Sequence, residues 1–358
     1  MANFLRLIVN SDILGEKVLV THIHYLLIPR FNMFSLVNVM EPIRVANYLS
    51  DQILYTHSFI SFDGSQIVAS NGMSVACVEA NEKLGRNDFV VILGSWGAEH
   101  YTNSALFSWL RLQARNGTKL CAVEMGAYLL ARSGLLAKRK ATTHWAYLPG
   151  FQEQFPEIEA NEQLYTEEGR ILCCSGSTAG LDVMLHLVKQ DHGATLAAEV
   201  SDIMLHHAIR EGTDPQRKTL GRGTEKLIPD VQKAVALIEK NISEPLAVPE
   251  IAQDIGISQR QLERQFKKSV GCSIVQFGLL LRLQHARVLL ISTDLGVREI
   301  ATASGFNSLS HFAFAFKKCF GRRPSEYREA WPKHDNAPHW PGTLGRFLDT
   351  LKPKKLVN

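Results

Sequence analysis

The residues best placed to do chemistry lie in KLCAVEMGAYLLARSGLLAKRKATTHW, residues 119–145. An apolar strand ends at Val123, Glu124 occupies the turn, and Gly126 lets a helix start at once. A strand–elbow–helix turn of this kind holds its central side chain strained above a sheet, beside the free N–H groups of a helix N-terminus. A serine or cysteine there is a nucleophile. Here the position carries a carboxylate followed by Met125, with no general base beside it, and Cys121 lies three residues back inside the strand. The pattern predicts binding rather than catalysis, and no catalytic residue is assigned. The helix dipole is expected to keep Glu124 ionised. Open α/β sheets take small molecules in the crevice at the carboxyl ends of their strands, where this elbow falls.

Four further segments supply candidates for the same rim. Glu41, in NVMEPIRVAN, is expected to start a helix there, or simply to place charge at a helix N-terminus. Trp96 ends ILGSWG and either walls a pocket or packs. His144 and Trp145 come from ATTHW, with His144 read equally as a ligand contact or a hydrogen-bonded structural residue, and Tyr128 lies one turn into the elbow helix. Two carboxylates among aromatic faces suit a cation, through ion pairing and cation–π contact. The expected ligand is therefore a small cationic or zwitterionic amine or amino acid.

A second set of residues has the geometry to read nucleic-acid bases. VPEIAQDIGIS (248–258) matches VREIATASGFNS (297–308) at a spacing of 49, and LERQFKKSVG (262–271) matches FAFAFKKCFG (312–321) at a spacing of 50. One residue, near Asn307, is thus inserted in the turn. Each copy reads as a short helix ending at a glycine (Gly256, Gly305), a tight turn, a polar cap and a second helix, which is how a helix-turn-helix looks in sequence. In the first copy Leu262 and Phe266 face inward, while Ser258, Gln259, Arg260, Glu263, Arg264 and Lys267 remain for the outer face. Arg and Gln pair bidentately with guanine and adenine edges from such a helix in the major groove. In the second copy Leu309, Phe312, Phe316 and Phe320 are placed inward, leaving Ser308, Ser310, His311, Phe314, Lys317 and Lys318. Its hydroxyls suit phosphate contacts, and Phe314 reads either as a thymine-methyl contact or as core.

The elements that must position these residues fall into two classes. HIHYLLIP (22–29), DFVVILGS (88–95) and TKLCAVE (118–124) read as buried strands, each followed by turn residues and a helical pattern. Such alternation implies an α/β, flavodoxin-like, mostly parallel sheet with helices on both faces. From about residue 226 onward only amphipathic helices are expected. The predicted organisation is an N-terminal extension (1–21), a ligand-sensing α/β domain (22–207), a polar linker (208–225), an all-α domain with two helix-turn-helix units (226–331) and a poorly ordered tail (332–358).

Charge supports the division. The chain of 358 residues has a formal charge of +4. Residues 1–220 hold 18 Lys+Arg against 22 Asp+Glu, or −4, and residues 221–358 hold 21 against 13, or +8. A segregated basic half is the electrostatic footprint of a nucleic-acid binder. The six cysteines are scattered, with no CxxC pair and no zinc spacing, so neither metal nor cofactor is expected and a cytoplasmic location follows. No apolar stretch is read as a membrane span or signal peptide, so no membrane partner is expected.

S-x-R-x-L-x-R-x-F appears as Ser258, Arg260, Leu262, Arg264 and Phe266. With RLQHARVLL (282–290), IATASGFNSLSHFAFAFKKCFG and PSEYR (324–328), it makes the C-terminal third resemble the AraC/XylS regulators. That family often carries a basic residue where Phe314 stands. ILGSWG (92–97), the elbow, ATTHW (141–145), LPGFQEQFPEIE (148–159) and GSTAGLDVMLHLV (176–188) resemble the PfpI/ThiJ-like relatives of class I glutamine amidotransferases. Where those relatives have an elbow cysteine followed by histidine, this chain has Glu124 and Met125. Together the two parts are similar to GlxA-type regulators. The resemblance implies a ligand-responsive transcription factor and, in the sense of that family, an activator. It also implies double-stranded DNA as partner, RNA polymerase as a further one, and a homodimer formed through the N-terminal domain. Two rival readings are an amidotransferase- or peptidase-like enzyme with an appended DNA-binding domain, and a constitutive DNA-binding protein whose α/β domain only dimerises.

Overall fold

The computed structural model describes residues 20–80, 83–206, 208–216 and 228–330. In chain order the strands are β1 (Thr21–Leu27), β2 (Tyr55–Ser61), β3 (Ile67–Val68), β4 (Ser74–Val75), β5 (Val78–Glu79), β6 (Phe89–Gly94), β7 (Lys119–Glu124), β8 (Lys140–Ala141), β9 (Glu159–Ala160), β10 (Tyr165–Glu168) and β11 (Ile171–Cys174). Seven of them form one sheet in the order β10-β11-β7-β6-β1-β2-β5, parallel except for the β10–β11 pair. The three apolar runs expected as strands are β1, β6 and β7. They lie side by side at the centre, where both faces must be covered and an unbroken apolar run is tolerated.

Among the described residues this domain has the helices α1 (Met33–Leu49), α2 (Ser104–Asn116), α3 (Gly126–Arg132), α4 (Leu148–Gln154), α5 (Ala179–His192) and α6 (Ala194–Ile203). The period-2 alternation of β1 sends Ile23, Tyr25 and Leu27 into one core with Val39, Met184 and Val188, and Leu26 and Ile28 into another with Leu110, Leu129 and Phe151. Burying each such leucine or isoleucine is worth about 1.5–3 kcal/mol. The carboxyl ends of β1, β6, β7 and β11 consequently open along one edge of the domain.

The helical part holds α7 (Pro229–Lys240), α8 (Val248–Ile255), α9 (Gln259–Val270), α10 (Ile274–Ser292), α11 (Val297–Ala303), α12 (Leu309–Phe320) and α13 (Pro324–Ala330). The repeat is physical. α8 and α11 start 49 positions apart, at 248 and 297, whereas α9 and α12 start 50 apart, at 259 and 309, so the extra residue does fall in the turn. Gly256 and Gly305 are both left-handed, at φ +84° and +72°, and Ser258 and Ser308 each cap the helix that follows. α10 belongs to both units. Ile274, Phe277 and Leu281 join the core of the first, and Leu283, Ala286, Leu289 and Leu290 that of the second. By length and composition α10 could cross a membrane, contrary to the sequence expectation, but its apolar side chains are those of the two cores.

Part of the segment expected as linker is built onto the α/β domain. Arg210 donates to Asp182 through its backbone N–H (2.8 Å) and through Nε (3.0 Å) and Nη2 (2.6 Å), and His206 Nε2 lies 2.9 Å from the same carboxylate. Leu164 and Tyr165 donate their N–H groups to the carbonyls of Asp214 and Gly212. Residues 206 and 208–216 therefore form a strap across the domain. The expected extension and tail (1–19 and 332–358) and the rest of the linker (217–225) lie outside the described residues.

Candidate functional site

Glu124 ends β7 in the left-handed region, at φ +58°, and α3 begins two residues later. The elbow fits because position 126 is glycine, since a Cβ there would collide with the Ile92 carbonyl of β6. Two other non-glycine residues with left-handed backbone stand at neighbouring strand ends: Arg30 (φ +64°) after β1 and Ser177 (φ +51°) after β11. Such conformations cost of order 1–3 kcal/mol each, and they gather at functional sites.

The carboxylate is held from three directions. Ser35 Oγ, in the first turn of α1, donates to Oε2 at 2.7 Å, and Ser95 Oγ, just past β6, donates to Oε1 at 2.9 Å. Asn32, the N-cap of α1, places Nδ2 3.5 Å from Oε1, while Ser35 itself accepts the Ser177 N–H at 2.8 Å. Glu124 is only 6% exposed. Burial pushes its carboxyl above the ordinary glutamate range, and the bonds from Ser35, Ser95 and Asn32 only partly offset this. This shift runs against the hold that the helix N-terminus was expected to exert on the ionised form, and burial is its largest cause. None of the ion pairs among the described residues includes Glu124.

The other expected ligand residues divide. Trp96 follows Ser95 and is half-buried, packed against the core that holds Tyr147. His144 and Trp145 sit in the loop between β8 and α4, with rings 5.5 Å apart, and His144 lies 6.2 Å from Tyr147. Tyr147 is buried at the end of this loop and accepts the Tyr128 hydroxyl at its carbonyl, 2.9 Å away. The Thr143 hydroxyl ties the same loop to the backbone by donating to the Glu124 carbonyl at 2.7 Å.

Tyr128 and Glu41 belong elsewhere. Tyr128 is fully buried, edge-on to Phe151 at 5.0 Å, with its hydroxyl donating to the Tyr147 carbonyl, so it is core and not a pocket wall. Its ring packs against α4 and against Phe155 just beyond that helix. Glu41 is not at a helix start but eight residues beyond Met33, where Arg44 pairs with it at 2.7 Å. The Glu-Pro pair resembles a helix start, yet α1 runs through Pro42. Asn32, Ser35, Ser95 and Tyr147 were not found from sequence. Ser95 stood in the quoted ILGSWG, but nothing in sequence joins Ser35 to a carboxylate 89 positions away.

The outer faces of α9 and α12 match expectation closely. Ser258, Gln259, Arg260, Glu263, Arg264 and Lys267 are exposed, as are Ser308, Ser310, His311, Lys317 and Lys318. Positions 259/260, 263/264 and 267 share one face of α9, and 310/311, 314 and 317/318 one face of α12. The Gln259 amide donates to Glu263 at 2.8 Å, and the Ser258 and Ser308 hydroxyls cap their helices by accepting the N–H groups of Gln261 and His311, both at 3.3 Å. Phe314 is 69% exposed, which removes the core reading for it. Leu309, expected inward, is 40% exposed, since as the first helical residue it precedes the buried stripe of Phe312, Ala315 and Phe316.

Comparison with known proteins agrees with both halves. Residues 25–190 match the DJ-1/PfpI family and residues 251–330 a helix-turn-helix domain family. The chain is 36% identical to the HTH-type transcriptional regulator GbdR of Pseudomonas aeruginosa over 310 residues, covering 87% of this chain and 84% of that one. It is 35% identical to the regulator CdhR of the same organism (89% and 94% covered) and 33% identical to the regulator GlxA of Rhizobium meliloti (86% and 96% covered).

Proposed function

The chain belongs to the HTH-type transcriptional regulators of the GbdR, CdhR and GlxA type, which join a DJ-1/PfpI domain to an AraC-type helix-turn-helix domain, and from that premise we propose that it switches transcription in response to a small cationic or zwitterionic amine or amino acid held at Glu124. The observation that carries the reading is a buried carboxylate, on a strained elbow, held by neutral hydroxyl and amide donors with no counter-charge among the described ion pairs. A cation brought to this carboxyl would meet it with little water to screen the charge, and such a pair is strong where water is scarce. Trp96 and Trp145 supply aromatic surface at the same rim.

The pocket is proposed to be non-catalytic. A carboxyl fixed by Ser35 and Ser95 is placed to hold a charge, while the elbow-strand thiol, Cys121, is fully buried and pushed well above its ordinary pKa by that burial. An activator role, RNA polymerase as partner and a cytoplasmic location follow the family resemblance. A homodimer through the α/β domain is supported by Phe34, Val37 and Tyr48, exposed along one face of α1.

Calorimetry with arginine, glycine betaine and succinate on the wild type and on Glu124→Gln tests the ligand class. The expected outcome is binding of a cationic or zwitterionic probe that the variant loses while still binding DNA. Equal affinity in both proteins, or tightest binding of succinate, overturns it.

A further inference from the structure

The strap carries a residue whose side chain is committed to the pocket loop. Gln216 Nε2 donates to Thr142 Oγ1 (3.0 Å), the Thr143 carbonyl (2.8 Å) and the Gln163 carbonyl (3.0 Å), and its Oε1 accepts the Trp145 N–H at 2.7 Å. One side chain thus grips residues 142, 143 and 145 of the loop that also contacts the elbow through the Thr143 hydroxyl and the Glu124 carbonyl. Only Thr143 stands between the elbow backbone and Gln216. Thirteen positions after Gln216 the first helix of the DNA-binding domain begins at Pro229.

The other end of the loop leads to the same domain. It runs directly into α4, which docks on the C-terminal end of α10. The Gln154 amide donates to the Ser292 carbonyl, and His100 Nε2 lies 3.1 Å from the Ile291 carbonyl. The approach is close enough that a Cβ at Gly150 would collide with the Ser292 hydroxyl. The same α10 contributes side chains to the cores of both helix-turn-helix units.

We propose that Gln216 is a positioning residue that latches the connector of the DNA-binding domain to the loop beside Glu124, so that a change at the elbow is passed to the helix-turn-helix units through Thr143 and Gln216. The inference rests on Glu124 marking the effector pocket. Its physical content is a two-position element. With the loop in its present place all four bonds of Gln216 are made, and a loop displaced by a ligand breaks several together, because they share one amide group. An effector can act only through such a difference between states.

The test uses the full chain, DNA fragments enriched in vitro on the wild type, and arginine and glycine betaine as probes. Gln216→Leu keeps the side chain's bulk and removes all four bonds. Gln216→Ala is the second variant should the first fold poorly, with the wild-type melting profile as control. The expected result is probe affinity within about twofold of wild type and DNA affinity without probe shifted at least threefold. The probe-induced change in DNA affinity, which allosteric couplings place at about 5–150-fold, should fall below twofold. A role confined to stability would move the melting temperature and leave these DNA readouts alone. Gln216 variants with wild-type DNA affinity and the wild-type probe response overturn the latch. If neither probe binds the wild type, the pocket reading fails by itself. The latch is then judged on DNA affinity without probe, which a threefold shift supports and no shift refutes.

Discussion

Ser35 Oγ lies 2.7 Å from Glu124 Oε2 and at the same time accepts the Ser177 N–H at 2.8 Å. One hydroxyl therefore joins the starts of two helices to the elbow, and the left-handed backbone of Glu124 and Ser177 is what brings the three within reach.

That contact sets a pH dependence. Burial raises the Glu124 carboxyl, so near neutrality it holds its proton more tightly than an ordinary glutamate. A cationic ligand competes with that proton, and its affinity should rise with pH through the raised pKa and then level off, whereas Glu124→Gln should show weak binding at every pH. Stability runs the opposite way. The contribution of a group whose folded pKa is raised is fully present below its ordinary pKa and is lost as pH rises through the folded one, so Glu124→Gln should gain on the wild type as pH increases. Calorimetry and urea melts across about pH 5–8 check both signs, and an affinity that falls with pH would contradict the first.

The exposed α9 face predicts base reading. Arg260→Ala and Arg264→Ala should each weaken DNA binding by about 1–3 kcal/mol and relax base preference in one half-site. Lys317→Ala and Lys318→Ala should weaken binding evenly across sequences and lower the salt slope by about one. The two units should protect successive major grooves roughly 34 Å apart. Footprints and salt titrations separate these outcomes, and a single short footprint indifferent to Arg260 and Arg264 would defeat the assignment.

A fragment from about Glu225 to Trp331 should fold alone and bind DNA. Both its cores close within it, around Leu262, Phe266 and Phe277 in one and Leu289, Phe312 and Phe316 in the other. Circular dichroism and gel shift of the fragment provide the check. A helical fragment unable to bind any enriched DNA would count against an independent output domain.

Arg210→Ala should destabilise the α/β domain by about 3 kcal/mol, because it strips the fully buried Asp182 carboxylate of its guanidinium partner and leaves it the His206 ring and the backbone N–H of residue 210. A denaturant midpoint unchanged within error would show that the strap contributes nothing to the fold.

The sequence by itself determined whatever depends on short-range periodicity. The apolar runs of β1, β6 and β7 foretold a central parallel sheet because strands buried on both faces tolerate little else. The 49- and 50-residue repeat located both helix-turn-helix units, and the outer face of α9 followed from 3.6-residue spacing alone. Even the elbow at Glu124 was legible, since a strand, a turn and a helix-starting glycine are neighbours in the chain. Tertiary structure decided the rest, for reasons of distance and solvent. Ser35 and Ser95 reach Glu124 only because β1, β6 and β7 bring their ends together. The upward shift of the Glu124 carboxyl comes first from desolvation, a property of the packed domain and not of its helix. Tyr128 was lost to the core, Glu41 to the middle of a helix that runs through Pro42, and polar residues 208–216 became a strap because the buried Asp182 required a partner that only the returning chain could supply.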